Sequence, residues 1–469
     1  MKKLSTLLII VPVVLNAMIM RVGKEEAYPT LRAAIFSAFE GDTILLTKGV
    51  YTTPLKVPFG LTIMGEQRDS TIVRAEQTAV IVSSDIKLNI ENLTLETQAP
   101  ALPIVWQSAG TLTLKNCLLR GSNVDAIYTC GGSLTLDNCT ITQNHKSGVI
   151  ARNANLNIIS SDISHNGMNG IMALKCNLML DNVQITDNGV SGVVVDSCDN
   201  VLIRNSVFER DSTTAISFQN SSGKVETITA KANGIGIRVT SGSLEIDHAQ
   251  LTDNIKYGLW VLNHGVATVK ATEFLNNKYG IRSDNGKFEL DTCKIVNNSH
   301  YGIYVAGGEC SVSHSTIAYN GAHGIYAEGG QGKLTYNLIY RNNKHGIKLK
   351  GASVYLIKNN TITYNRGHGV LAYEGAAPQI INNIVAFNNW GIVTQVKDAA
   401  PGNPTLSHNN VYKNGQVDWS ANLQHPTDIS VDPQFVNPEE DNFYLKATSP
   451  CLNAGEGGTH IGALSKKEE

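Results

Sequence analysis

Along most of the chain, apolar residues recur at every second position in short runs, and Asn, Gly or Asp interrupts each run. In GSLTLDNCTITQN, Leu134 and Leu136 point to one face, and Ile141 follows beyond a polar break. A spacing of two is the signature of strands, and it predicts three short strands per repeating unit, separated by turns. Helical units would place apolar residues at i, i+3 and i+4, a pattern that does not persist.

The runs themselves repeat. Aligned on a glycine that precedes an apolar residue, the series is Gly148, Gly170, Gly192, Ala215, Gly236, Gly258, Gly280, Gly302, Gly324, Gly346, Gly369 and Gly391, with Ala126 one step earlier. The step is 22 residues apart from single steps of 21 and two of 23, which read as one-residue bulges. The glycine is expected where the chain turns with φ > 0. Four residues before it stand Asn144, Asn166, Asn188, Asn254, Asn276, Asn298, Asn320, Asn342 and Asn365. If each period is one coil stacked ~4.8 Å above the last, these amides form a hydrogen-bonded ladder. Ile141, Ile163, Ile185, Phe208, Leu251, Ile295, Ile317, Ile339 and Ile362 form a stacked aliphatic spine in the interior.

Coils of this length, with three strands and stacked asparagines, resemble the right-handed parallel β-helix repeat proteins of the pectate-lyase-like superfamily, of the secreted bacterial type, over roughly residues 21–464. The resemblance implies an all-β, single-stranded right-handed solenoid of ~16 coils. In YPTLRAAIFSAFEG, Pro29 would open an amphipathic cap helix over 28–41, with Leu31, Ala34, Ile35 and Ala38 on one face. DPQFVNPEEDNFYLKATSPCLNAG, from Asp432, is similar to the closing segment of such proteins. Residues 18–469 are therefore read as one domain capped at both ends, with regular coils over 126–395 and irregular coils and the cap over 396–469.

Charge and the N-terminus narrow the setting. With 38 basic and 40 acidic residues, the formal charge of −2 gives no electrostatic reason to expect nucleic acid as a partner. Two lysines followed by an apolar run from Leu7 to Leu15 predict a signal peptide over 1–17 and a secreted or periplasmic protein, without a membrane span. The other reading keeps part of that run as a first strand. Of eight cysteines, Cys117 and Cys139 are 22 apart, as are Cys176 and Cys198. Adjacent coils could join either pair as a disulfide, or bury both as reduced packing residues. A monomer is expected.

In a solenoid, chemistry should fall in columns. Two positions after the glycine the column reads Arg238, Trp260, Arg282, Tyr304, Tyr326 and Lys348; two further on it includes Asp284, Glu328, Lys350 and Tyr373. Exposed aromatic faces beside charged groups suit an extended sugar chain, whose C–H faces pack on rings and whose hydroxyls need polar partners. The expected ligand strip is Trp260, Arg282, Asp284, Tyr304, Tyr326, Glu328, Lys348, Lys350 and Tyr373, and the expected partner is a polysaccharide. The resemblance implies, for an enzyme, a polysaccharide lyase or glycoside hydrolase. Arg282 or Lys348 would be the base, Asp284 and Glu328 the acidic partners, and calcium the cofactor of a lyase. The motifs of pectate lyases and pectin esterases are missing. Just before the glycine runs a ring column: Tyr257, Tyr279, Tyr301, His323, His345, His368 and Trp390. It reads as a stacked ladder, with His323, His345 and His368 as the alternative metal ligands of a periplasmic metal-delivery protein. The remaining alternative is a structural or adhesion solenoid without a dedicated site.

Overall fold

The computed structural model describes residues 17–395 and 397–466, so most of the expected signal segment lies outside the described residues. Three sheets of parallel strands run the length of the solenoid. Sheet 1 has 18 strands, from Ile19–Val22 to Thr405–Ser407. Sheet 2 runs from Gly49–Tyr51 to Asn410–Tyr412, and sheet 3 has 15 strands, from Ile81–Ser83 to Trp390–Val393. There are more coils than the repeat suggested, because the earliest coils lack the glycine on which the register was counted. Among the described residues no helix is long and apolar enough to cross a membrane.

One coil shows how the residues produce the turn. Tyr279–Asp284 lies in sheet 3, Lys287–Asp291 in sheet 1 and Lys294–Val296 in sheet 2. Each strand ends at a left-handed residue: Asn285, Thr292 and Asn297, with φ of 54°, 55° and 58°. Asparagine tolerates that region better than most side chains. The repeated glycines do not hold these corners, contrary to expectation. A Cβ on Gly280 would lie 2.6 Å from Ile295 Cγ2 and 2.7 Å from the Gly302 carbonyl oxygen, so glycine is there because the spine residue of its own coil and the backbone of the next both pass too close.

The spine is buried as expected: Ile295, Ile317 and Ile339 are fully enclosed and stacked in register. The amide ladder also forms, with two differences. Asn254 donates to Asn277 at 3.0 Å and Asn277 to Asn298 at 3.2 Å, so a bulge puts Asn277 in the ladder in place of Asn276. Asn188 donates to Asp211, whose backbone N–H in turn donates to Asn233, and these two fill the interval the sequence left open. A second ladder was not foreseen: Asn337 donates to Asn360, Asn360 to Asn383 and Asn383 to Asn409, at 3.0–3.1 Å, at the corner between sheets 1 and 2. Both cysteine pairs are free thiols buried in corner columns; the Cys176 N–H donates to Cys198 Sγ at 3.2 Å.

The ends differ from expectation too. The helix is Leu31–Ser37, capped by Thr30 Oγ1, and buries Leu31 and Ala34 on the first coil. It is shorter than 28–41 because the Asp42 carboxylate accepts the Phe39 N–H at 2.8 Å and draws the chain out of the helix. At the other end Trp419 and Leu423 pack against the core. The segment beginning at Asp432 folds back instead, placing Phe435, Phe443 and Leu445 against Val296, Ala318 and Tyr340 on the outer face of sheet 2. Arg341 Nε donates to Asp441 at 2.7 Å, and Ala463 N to Thr361 Oγ1 at 3.0 Å. The expected C-terminal cap is thus a flank.

Candidate functional site

The alternation within sheet 3 turns Leu259, Ile281, Ile303 and Ile325 inward, and therefore Trp260, Arg282, Tyr304 and Tyr326 outward, each in register with the next. The expected strip is brought together, but as a partly buried, internally bonded surface rather than an exposed one. Arg282 grips Asp284 through Nε at 2.7 Å and Nη2 at 2.9 Å, and Trp260 Nε1 donates to the same carboxylate at 2.7 Å. The guanidinium also lies over the Tyr304 ring at 5.2 Å. Tyr304 donates to Glu328 at 2.9 Å, and Tyr326 donates to the other Glu328 oxygen. Lys348 sits 4.3 Å above the Tyr326 ring and Lys350 pairs with Glu374 at 3.6 Å. Tyr326 and Tyr373 are buried, the latter beside Ala399 in a loop that closes this end of the strip.

These pairings set the ionisation. Burial pushes Asp284 upward, but its bonds from Arg282 and Trp260 prevail and hold it below the usual carboxylate range. Glu328 follows the same pattern: burial raises it, and the Tyr326 and Tyr304 hydroxyls with Lys350 and Lys348 bring it below its ordinary value. Burial and the Glu328 bond push the Tyr304 hydroxyl up to about 12. Of the catalytic candidates, Arg282 is moved further from acting as a base, since its bond to Asp284 raises it. Arg282 and Asp284 pair with each other, Glu328 is bonded by Tyr304 and Tyr326, and Lys348 lies over the Tyr326 ring, so the four candidates are not gathered around one point.

The ring column merges with the strip. Tyr257 lies 5.2 Å from Trp260, and Tyr301 lies 5.7 Å from Tyr304 and 5.5 Å from Tyr326. Tyr257, Tyr279 and Tyr301 therefore belong to the surface, although their regularity made them read as scaffold. His300 joins it, stacked on Tyr301 at 4.0 Å; its column reads Lys278, His300, Ala322 and Lys344, so no recurring ring marked it in the sequence. His323, His345 and His368 stack face to face at 4.7 and 4.5 Å. Nδ1 of His323 accepts the His345 N–H, and Nδ1 of His345 accepts the His368 N–H. Burial pushes the three imidazoles down, to about 3, about 2 and about 4, so all are neutral near pH 7. Among the described residues no three His, Cys, Asp or Glu side chains converge on a metal position.

The family model described as right handed beta helix region matches residues 103–279 and 279–425, well over half the chain. The chain belongs to the right-handed β-helix family. No curated protein matches it. Among solved structures, this β-helix is similar to the catalytic domain of GH87 α-1,3-glucanase in complex with nigerose, at 14% identity and a TM-score of 0.45 over 65% of each chain. That is just under two thirds of the glucanase domain. It is also similar to the A-module of the Azotobacter vinelandii mannuronan C-5 epimerase AlgE6, at 13% identity and a TM-score of 0.28, over 84% of this chain and 92% of that one. Pectate lyase Pel9A matches at 12% identity and a TM-score of 0.23 over 96% of each chain. Likeness at this level carries no activity to the β-helix described here.

Proposed function

We propose that the outer face of sheet 3 binds an extended polysaccharide, and that the protein does so in a secreted or periplasmic setting. The observation that carries this reading is the unbroken aromatic surface formed by Tyr257, Trp260, Tyr279, Tyr301 and Tyr304, backed by the buried Tyr326 and laid along the coil axis with polar groups between the rings. From the coil of Trp260 to that of Tyr373 the strip spans roughly 25 Å at sheet spacing, enough for several sugar rings end to end. Ring faces take up C–H surfaces, and pairs such as Trp260–Asp284 and Tyr304–Glu328 fix the rings in place before the ligand arrives, which lowers the ordering cost of binding. The reading is one of binding without bond cleavage, because Arg282, Asp284 and Glu328 already satisfy one another or their neighbouring rings.

The same saturation favours a second reading, a structural solenoid in which these pairs only stiffen the sheet. Screening neutral and acidic polysaccharides against the wild type, Trp260→Ala and Tyr304→Ala separates the two. Binding is expected to fall about tenfold or more in Trp260→Ala, the loss typical of a ring anchor. Absence of glycan binding, or binding indifferent to both substitutions, leaves only the structural reading.

A further inference from the structure

Resting on the polysaccharide reading, we propose that the ligand sugar carries an anionic group, a carboxylate or a sulfate or phosphate ester, and that Arg238 with Ser217 and Thr240 is its subsite beside Trp260. The other cations of the strip are engaged: Arg282 by Asp284, Lys348 by the rings of Tyr326 and Tyr373, and Lys350 by Glu374. Arg238 is different. Among the described residues it forms no ion pair, and its Nε is buried without a hydrogen-bond partner.

Its neighbours share that condition. Arg238 lies in register between Ser217 and Trp260 on the outer face of sheet 3. Ser217 is only 2% exposed, and its Oγ has no partner. Thr240, the next outward position along the Arg238 strand, has an unpartnered Oγ1 as well. Three orphaned polar atoms thus fall on one face within two adjacent coils. A buried polar group without a partner is unfavourable, so a ligand that pairs with these atoms recovers what folding left unmet.

A guanidinium beside two hydroxyls selects the sign of the ligand. The carboxylate nearest Trp260, Asp284, is neutralised by Arg282, and Asp196, two coils before Thr240 in its column, is already bonded by Ser197 and Asn220. In the Arg238 coil and the coils on either side of it this column holds Gln219, Thr240 and Leu262, so none of its carboxylates adjoins the guanidinium. Trp260, held through Nε1, offers a fixed ring for the sugar that bears the charge. A planar guanidinium also suits two-point contact with carboxylate or ester oxygens.

Isothermal titration with matched neutral, carboxylated, sulfated and phosphorylated tetrasaccharides of one β-1,4-glucan backbone tests the subsite, using wild type, Arg238→Gln, Arg238→Lys and Trp260→Ala. At least one anionic tetrasaccharide is expected to bind more tightly than the neutral one and to weaken about tenfold or more in Arg238→Gln, the loss of one charge-assisted contact. Arg238→Lys should recover part of that affinity, and rising salt should reduce it. Which anionic ligand responds identifies the source of the charge. Since Arg238 holds no protein partner, Arg238→Gln should unfold at the wild-type temperature. Equal binding of anionic ligands by wild type and Arg238→Gln overturns the subsite. Trp260-dependent binding without preference for charge also overturns it, while leaving the polysaccharide reading intact. If no ligand binds in a Trp260-dependent way, both fall together.

Discussion

Replacing Asp211 by Asn is expected to raise the unfolding temperature at pH 8 by several degrees, with the gain shrinking toward zero near pH 4. Asp211 occupies a position that is asparagine in the coils on either side, and it is almost wholly buried. Its Oδ1 accepts the Asn188 N–H and Nδ2, both at 3.0 Å, as a ladder amide oxygen would. Its Oδ2 stands where the ladder places an amide nitrogen, and it has no partner. Burial pushes this carboxyl up to about 7; the bonds from Asn188 and the charge of Arg210 oppose the shift, and Asp187 adds to it. A folded value above the unfolded ~3.9 means that the native state holds the extra proton. The stability Asp211 contributes is therefore complete below about pH 4 and is lost as pH rises through about 7. Above that, ionisation costs about 4 kcal/mol relative to the protonated group. Asparagine supplies the missing donor and does not titrate. Thermal unfolding of wild type and Asp211→Asn from pH 4 to 8 checks this, and a shift of equal size at every pH would contradict it.

The second large effect is expected at the spine. Ile317 is fully enclosed, stacked in register between Ile295 and Ile339. Ile317→Asp removes the apolar side chain and puts a carboxyl where no water or partner reaches it. The loss of packing alone is about 2–5 kcal/mol, and the unpaired polar group adds to it. Because each coil rests only on its neighbours, the damage should spread to both adjacent coils and open the solenoid there to proteolysis. Ile317→Val, which removes one methyl group, should cost about 0.5–1.5 kcal/mol. Limited proteolysis with a melting curve distinguishes them; an Ile317→Asp protein as resistant as the wild type would place this residue outside the core.

The period was legible because a solenoid repeats its contacts at fixed intervals, so Ile317 and Ile339 meet the same demand and carry the same residue. What breaks the repeat was harder to see. Asn233 and Asn277 belong to the ladder, yet a one-residue bulge moves each out of the column counted from the glycine, while Asp211 keeps its place four before Ala215 but carries a carboxyl where the others carry an amide. The glycines themselves were found but given the wrong reason: their place is set by the spine residue and the neighbouring coil that close in on them, contacts that spacing alone does not display. The C-terminal flank depends on contacts about a hundred residues apart, such as Arg341 with Asp441, which no short period encodes. A signal was nonetheless present. The outward positions of sheet 2 are Thr142, Ser164, Thr186, Glu209, Lys231 and Thr252 in the earlier coils, then become Leu275, Val296, Ala318 and Tyr340, as a covered face requires.

For the candidate site, the residues of the strip could be read from the sequence, but their condition could not. Spacing put Arg282 and Asp284 on one face; only the geometry shows that they spend their charges on each other, while Arg238 in the same column has none to meet. The ring ladder looked like scaffold because it was regular, and it forms part of the surface because sheet 3 places Tyr257 beside Trp260 and Tyr301 beside Tyr304.

A crystal structure with a bound oligosaccharide tests the central claim most directly. The sugar rings are expected along the outer face of sheet 3, one of them stacked on Trp260 and the chain running parallel to the coil axis toward Tyr304. An oligosaccharide found instead on sheet 1 or on the C-terminal flank, with the Trp260 to Tyr326 surface bare, would contradict it.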